Sequence, residues 1–214
     1  VAGLAFRDLA PRDRYKLLCA VVVPRPIALV TTLHENGGVN AAPFSFFNVF
    51  SEEPPLVVLG LQHHPDGRFK DTTRNIHRSG EFVVHMVDEG FAGAMNDCAM
   101  DFPGDEGEVE ALGLATAPSV DVAVPRLADA PFALECRREV SLAFGPGREL
   151  LVGEVLRLHA RPGVLDAERL HVDLAAYRPV GRLFGNLYAT QQDIFALERQ
   201  SHADWLAKGG RDKT

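Results

Sequence analysis

Between Ile27 and Leu61 three apolar runs of strand length are separated by turn signals. Ile27–Leu33 and Val39–Ala42 flank Asn36-Gly37-Gly38, residues that accept a positive φ and so mark a hairpin. Leu56–Leu61 is a continuous apolar run between Pro54-Pro55 and the polar stretch His63–Gly67, the pattern of a buried strand. Glu81–Val87 reads as a further strand with Phe82, Val84 and Met86 on one face. Phe132–Ala143 and Leu150–Ala160 form a second hairpin across Gly145-Pro146-Gly147. Short helices fall between them: one before Leu18, one over Asp71–Ser79 with Asp71 as N-cap and Gly80 as stop, and one over Phe91–Ala99. The acidic, Gly-rich stretch Phe102–Pro118 reads as an excursion over the surface. A mainly antiparallel β fold with short inserted helices follows, and a closed barrel is the economical way to hide its strand edges.

The 214 residues suit one sizeable domain, expected over 1–190. Residues 191–214 are expected as a helical tail, with Ile194, Leu197, Trp205 and Leu206 giving Gln191–Leu206 one apolar side. That side packs on its own domain or on a second subunit. A net charge of −7 argues against nucleic acid as the main partner, because phosphate backbones need clustered Lys and Arg. The longest apolar stretch, 20–33, is broken by Pro24, Arg25 and Pro26, so no membrane span is expected. Cys19, Cys98 and Cys136 are odd in number and far apart, which fits reduced core thiols in a cytoplasmic protein. No basic, apolar signal segment is visible at the start, in keeping with that location.

Three segments are candidates for chemistry. Lys70 precedes Asp71-Thr72-Thr73 at a helix start, where unpaired N–H groups and the helix dipole favour an anion such as phosphate; an ordinary capped surface helix reads the same way. Asn40–Asn48 alternates so that one side is core and the other presents small polar and backbone groups, as the edge of a flavin ring requires; any half-buried strand shares this pattern. Tyr177–Tyr188 holds two arginines, two glycines and two tyrosines, the makings of a loop close to a ligand. Within it Arg182 is placed to balance negative charge on a reduced flavin, or to form a surface ion pair. No G-x-G-x-x-G, no P-loop and no H-E-x-x-H is present, and no metal site or catalytic side chain is expected. Among the histidines, His85 is expected to face inward from its strand, and His171 precedes the Tyr177 loop.

Taken in order, these landmarks resemble the flavin reductase-like family, in the branch of flavoredoxins and reductase components of two-component monooxygenases. They are Arg25-Pro26 with Val30-Thr31-Thr32, Asn40-Ala41-Ala42-Pro43-Phe44-Ser45, Ser51-Glu52-Glu53-Pro54-Pro55, and Lys70-Asp71-Thr72-Thr73 with Asn75-Ile76. Gly80–Val84, Pro125-Arg126, Ala133–Cys136 and Arg178-Pro179 with Gly181-Arg182-Leu183 complete the series. The resemblance implies a six-stranded antiparallel FMN-binding split barrel and a homodimer with FMN near the subunit interface. It implies that Ser45, Phe46, Phe47 and Asn48 line the flavin, that Lys70, Thr72 and Thr73 hold its phosphate, and that Arg25 and Arg182 lie near the ring or its chain. The implied activity passes hydride from NADH or NADPH to the flavin, then electrons to a partner monooxygenase or other acceptor. The alternative is an FMN-binding electron carrier without appreciable nicotinamide activity. A Gly-Asp-His signature tied to nicotinamide binding in some members is missing; Gly104-Asp105-Glu106-Gly107 is the nearest acidic stretch.

Overall fold

The computed structural model describes residues 3–104 and 106–207. Helix α1 (Pro11–Val21) leads to strands β1 (Ala28–Leu33), β2 (Val39–Phe44), β3 (Phe47–Glu52) and β4 (Pro55–Gln62). Helix α2 (Asp71–Ser79), strand β5 (Glu81–Met86) and the short helices α3 (Ala92–Asp97) and α4 (Glu108–Ala111) follow. A two-residue pair, β6 (Thr116–Ala117) and β7 (Arg126–Leu127), precedes the long hairpin β8 (Phe132–Ala143) and β9 (Arg148–Ala160). The chain then runs through β10 (Leu165–Asp166), β11 (His171–Val172), α5 (Leu174–Tyr177), β12 (Val180–Arg182), β13 (Tyr188–Thr190) and α6 (His202–Ala207).

Among the described residues, seven antiparallel strands form the main sheet in the order β2-β1-β5-β8-β9-β4-β3. The expected count was six. The extra strand is β3, whose first residues, Phe47 and Asn48, the resemblance places against the flavin but which pair with β4 in the register Phe47↔Leu59 and Asn48↔Val58. The two edge strands, β2 and β3, are joined by Ser45-Phe46 alone, which spans at most roughly 11 Å. The sheet must therefore curl until its edges lie side by side. No ladder joins β2 to β3 among the described residues, so the barrel is not closed, and Phe46 O accepts from Gly60 N at 2.7 Å beside the gap.

Alternation along the strands divides the core. Val30, Leu59, Leu61, Phe82, Val84 and Leu151 point inward together, while Leu29, Ala41, Val87, Met95 and Cys98 pack on the other face under α3. Because β1 is covered on both faces, Ala28–Thr32 are all buried, Thr31 and Thr32 included. The first turn forms as expected, with Gly37 at φ 89° and His34 N donating to Gly38 O. Gly80 closes α2 in the left-handed conformation, but the N-cap of that helix is Lys70. Asp71 is its first helical residue and pairs with Arg74 instead. The stretch after Phe102 is more than a surface excursion: Glu108 is buried and accepts from Ala41 N at 2.8 Å, which anchors α4 to the edge strand β2. Only His202–Ala207 of the expected tail helix is helical; residues 191–201 carry no regular structure, and 208–214 lie outside the described residues. Ile194, Phe195 and Leu197 on that arm are exposed.

His85 is fully buried between β1 and β7. Its Nδ1–H donates to Leu29 O at 2.9 Å, and Nε2 accepts from Leu127 N at 2.8 Å, which fixes the neutral tautomer. Burial lowers its pKa to about 4. The unfolded chain, with the ordinary value near 6.5, then binds the extra proton first. This contribution to stability is whole above about pH 6.5 and is lost progressively as pH falls toward 4, by about 3 kcal/mol in all. Urea midpoints between pH 4 and 7 should show that slope, and His85→Gln should flatten it. A variant with an unchanged slope would assign the acid sensitivity to carboxylates.

Candidate functional site

The split between the sheet edges opens onto two adjoining cavities. The first, about 570 Å³, is bordered by Tyr15, Ser45, Met95, Asn96, Arg182 and Tyr188, among others. The second, about 450 Å³, is bordered by Ser45, Phe46, Gln62, Lys70, Phe144 and Arg148, among others. Tyr15, Pro43, Phe44 and Ser45 belong to both, so the two are lobes of one groove.

Arg25 organises the floor. Its guanidinium is buried and donates to Cys19 O at 2.7 Å, Val22 O at 2.9 Å and Leu183 O at 2.7 Å, with a longer 3.4 Å contact to Ser45 Oγ. Two of those carbonyls belong to the C-terminal end of α1, where a cation also meets the negative end of the helix dipole. Its backbone exchanges hydrogen bonds with Arg182. Arg25 thus ties α1, the split and the β12–β13 turn together, and its donors are committed to protein. Gly181 is required there, because a Cβ would lie 2.6 Å from Pro24 Cβ.

Arg182 borders the first lobe. Its Nη2 donates to Gly185 O, and its guanidinium lies 4.4 Å over the Tyr188 ring, a cation–π contact that orients it. No carboxylate is among the described residues bordering this lobe. Lys70 and Arg148 supply positive charge to the second. Glu149 also borders that lobe, but its carboxylate is turned to His77 and His63. None of these three cations forms an ion pair with a described residue.

Of the residues singled out from sequence, Ser45, Phe46, Lys70 and Arg182 border the groove and Arg25 lies directly against it. Thr72 and Thr73 are buried and border neither lobe; Thr72 Oγ1 accepts from Asn40 Nδ2 at 3.0 Å, docking α2 on β2. Phe47 is in the barrel core, and Asn48 is exposed on β3 with its Oδ1 held by Val49 N. Tyr15, Tyr188, Asn96 and Arg148 are the additions. Tyr188 lay in a loop already marked by its arginines and glycines. Nothing local to Tyr15 or Arg148 reveals that α1 and the β8–β9 turn meet at this groove.

The cysteines take no part: all three are buried, and burial raises the Cys98 thiol to about 12 and the Cys136 thiol further from reactivity. Tyr177 faces Phe132 edge-on at 5.0 Å, and burial pushes its phenol to about 12. His171 is exposed on β11. Among the described residues no helix is long and apolar enough to cross a membrane.

Fold and site define a curled, split antiparallel sheet whose seam carries a groove with cations at both ends and aromatic or small residues between. The model of the flavin reductase-like domain matches residues 21–181, and the chain belongs to that family. Over 94% of its length it is similar to 2-nitrobenzoate 2-nitroreductase NbaA of Pseudomonas fluorescens, at 38% identity and a TM-score of 0.86, covering 98% of that chain. It is similar over 92% to nitrilotriacetate monooxygenase component B of Bacillus cereus, at 33% identity and a TM-score of 0.88, again covering 98% of that chain. An uncharacterised protein of Deinococcus radiodurans is 46% identical over 198 residues, 90% of this chain and 87% of its own.

Proposed function

We propose that this chain is an FMN-dependent oxidoreductase that draws hydride from NADH or NADPH and delivers electrons to a partner monooxygenase or another acceptor. The observation that carries this reading is the two-lobed groove with unpaired cations at its ends: Arg182 in one lobe, Lys70 and Arg148 in the other. A planar, anionic ligand with a phosphate tail fits that distribution of shape and charge. FMN, when bound, supplies the redox chemistry, and the protein supplies orientation and charge balance. Lys70 holds the phosphate end. Ser45 and the backbone from Pro43 to Phe46 face the ring's polar edge, and Tyr15 and Tyr188 offer aromatic surface. Arg182, fixed by Gly185 and Tyr188, sets positive charge where a reduced ring gathers negative charge.

Thr72, Thr73, Phe47 and Asn48 support the site from behind rather than touching the ligand. The exposed edge residues Val49 and Phe50 and the apolar arm 194–197 fit a homodimer. Three unpaired thiols fit a reducing cytoplasm. The acceptor is an oxygenase, as for the Bacillus cereus component, or a nitro group, as for NbaA. The missing Gly-Asp-His signature favours a second reading, an electron carrier reduced only slowly by nicotinamides.

The test is a visible spectrum after FMN loading and desalting, followed by anaerobic addition of NADH or NADPH. A retained band that bleaches within seconds supports the oxidoreductase. A retained band that persists supports the carrier, and no band removes the site assignment. Lys70→Ala should weaken FMN binding by roughly 1–3 kcal/mol, the worth of one charged hydrogen bond. Unchanged affinity would take Lys70 out of the site.

A further inference from the structure

His63 follows strand β4 and His77 lies on the last turn of α2, yet both imidazoles turn to one buried carboxylate on β9. His77 Nε2 is 2.8 Å from Glu149 Oε1, and His63 Nε2 is 3.7 Å from Oε2. The Phe69 ring lies between the imidazoles, 4.8 Å from each. On its other side His63 meets the β8–β9 turn: Nδ1 is 3.0 Å from Pro146 O, and the backbone N–H donates to Gly147 O. That turn and the strand after it supply Phe144 and Arg148 to the border of the second lobe.

Hydrogen-bond roles decide the charge of His63. A carbonyl only accepts, so Nδ1 carries a proton toward Pro146 O. A neutral ring would then leave a bare lone pair at Nε2, buried, without a hydrogen-bond partner and 3.7 Å from a carboxylate oxygen. Repulsion from Oε2 and lost solvation both disfavour that form. A second proton at Nε2 removes both costs and gives Glu149 a cation. Burial alone would raise the Glu149 carboxyl, but the hydrogen bond from His77 outweighs it and holds the group below the usual range. Glu149 therefore stays ionised near neutral pH, and the proton that comes and goes belongs to an imidazole. His77 donates at Nε2 whether its ring is neutral or charged, so its bond survives either way. The other charges around the unit are engaged elsewhere. On the loop Asp66 holds Arg68, and His64 is exposed; on α2 Asp71 holds Arg74, and Arg78 donates to Leu33 O. Lys70 and Arg148 face the lobe.

We propose that His63 is a proton-operated latch between the β4–α2 loop and the β8–β9 turn, closed while its imidazole carries two protons and released when Nε2 loses its proton. The latch stabilises on the acid side, where imidazolium faces carboxylate. That gain is lost as pH rises through about 5 to 8, the range in which histidine changes charge. Once released, the turn no longer holds Phe144 and Arg148 at the second lobe, whatever ligand that lobe takes.

The experiment reads exchange of the His63 amide, whose acceptor is Gly147 O on the turn, at about pH 5 and pH 8, each corrected for its intrinsic rate. Wild-type protection should fall about tenfold or more, while the amides of β5 keep theirs. His63→Gln keeps a donor but cannot titrate, so its protection should be the same at both pH values. In His77→Gln the fall should persist. Constant wild-type protection overturns the latch, as does a fall that survives in His63→Gln or vanishes in His77→Gln. A nitrogen NMR spectrum of the wild-type imidazoles tests the charge without any substitution. Two ring protons on His63 on the acid side and one on the alkaline side are expected, and a bare Nε2 on the acid side overturns the proposal.

Discussion

Arg25→Ala is expected to lower stability by roughly 3 kcal/mol and to detach α1 from the rest of the fold. The guanidinium is buried and is the common donor to Cys19 O, Val22 O and Leu183 O. Truncation leaves three carbonyls with a lost donor, one of them part-way through the chain's last third and two at the end of a helix. That helix has little else to hold it: Cys19 is its one buried residue, and Leu18 and Val21 are exposed. Tyr15, which borders both lobes of the groove, sits on the same helix, so ligand affinity should fall with stability. Arg25→Lys should not restore either property, because one ammonium cannot reach the α1 carbonyls and Leu183 in the fork geometry Arg supplies. Urea unfolding gives the stability change, and amide exchange across 11–21 gives the local one. Wild-type protection of α1 in the alanine variant would show that apolar contacts, not Arg25, hold the helix.

The sequence conveyed what alternation and turn chemistry encode. The first hairpin is legible because Gly37 must adopt positive φ, and the α2 stop because Gly80 must do the same. Strand β4 is legible as an apolar run between Pro54-Pro55 and a polar turn, although only its alternate residues are buried, and β5 is legible from Phe82, Val84 and Met86 on one face. What failed was anything settled at a distance. β3 alternates too weakly to separate from the stretch before it, since its outer face presents Asn48 and Phe50 rather than a regular polar row. Thr72 and Thr73 look like anion ligands in a local reading. Their side chains turn inward because α2 lies on the sheet, where Asn40 already needs a partner. Arg148 is hidden for the opposite reason: a cation beyond a Gly-Pro-Gly turn has no local mark, and only the fold brings it to the lobe that Lys70 borders. The tail has a rough apolar stripe in sequence but no surface that receives it, and only His202–Ala207 is helical. Residues 191–201 are not helical, and a short helix without tertiary contacts is marginal in water.

Glu135→Ala is expected to cost about 3–5 kcal/mol and to free the loop over residues 118–125, the second large effect in this fold. Glu135 is fully buried on β8, and both of its oxygens are doubly used. Oε1 accepts from Val120 N at 2.8 Å and is 2.5 Å from His159 Nε2, while Oε2 accepts from Asp121 N at 2.6 Å and Val122 N at 3.2 Å. Burial would raise this carboxyl, but the bonds from His159, Asp121 and Val120 outweigh it and hold its pKa below the ordinary value. A carboxylate is the one side chain that accepts on both oxygens without presenting a proton. Glu135→Gln therefore should not rescue the loss. In either orientation its amide NH2 would face two existing donors, those of Val120 and His159 or those of Asp121 and Val122. The loop matters because Val122 and Val124 close over Val83 and Ala133, so its release also uncovers apolar core. Acid should act in the same sense: a carboxylate with a depressed folded pKa stabilises fully above its unfolded value near 4.3, and that gain is lost as pH falls through the folded pKa. Urea midpoints at neutral pH for the wild type, Glu135→Ala and Glu135→Gln, with limited proteolysis of the loop, check this. A glutamine variant with wild-type stability would show that shape alone, and not acceptance on both oxygens, is what position 135 supplies.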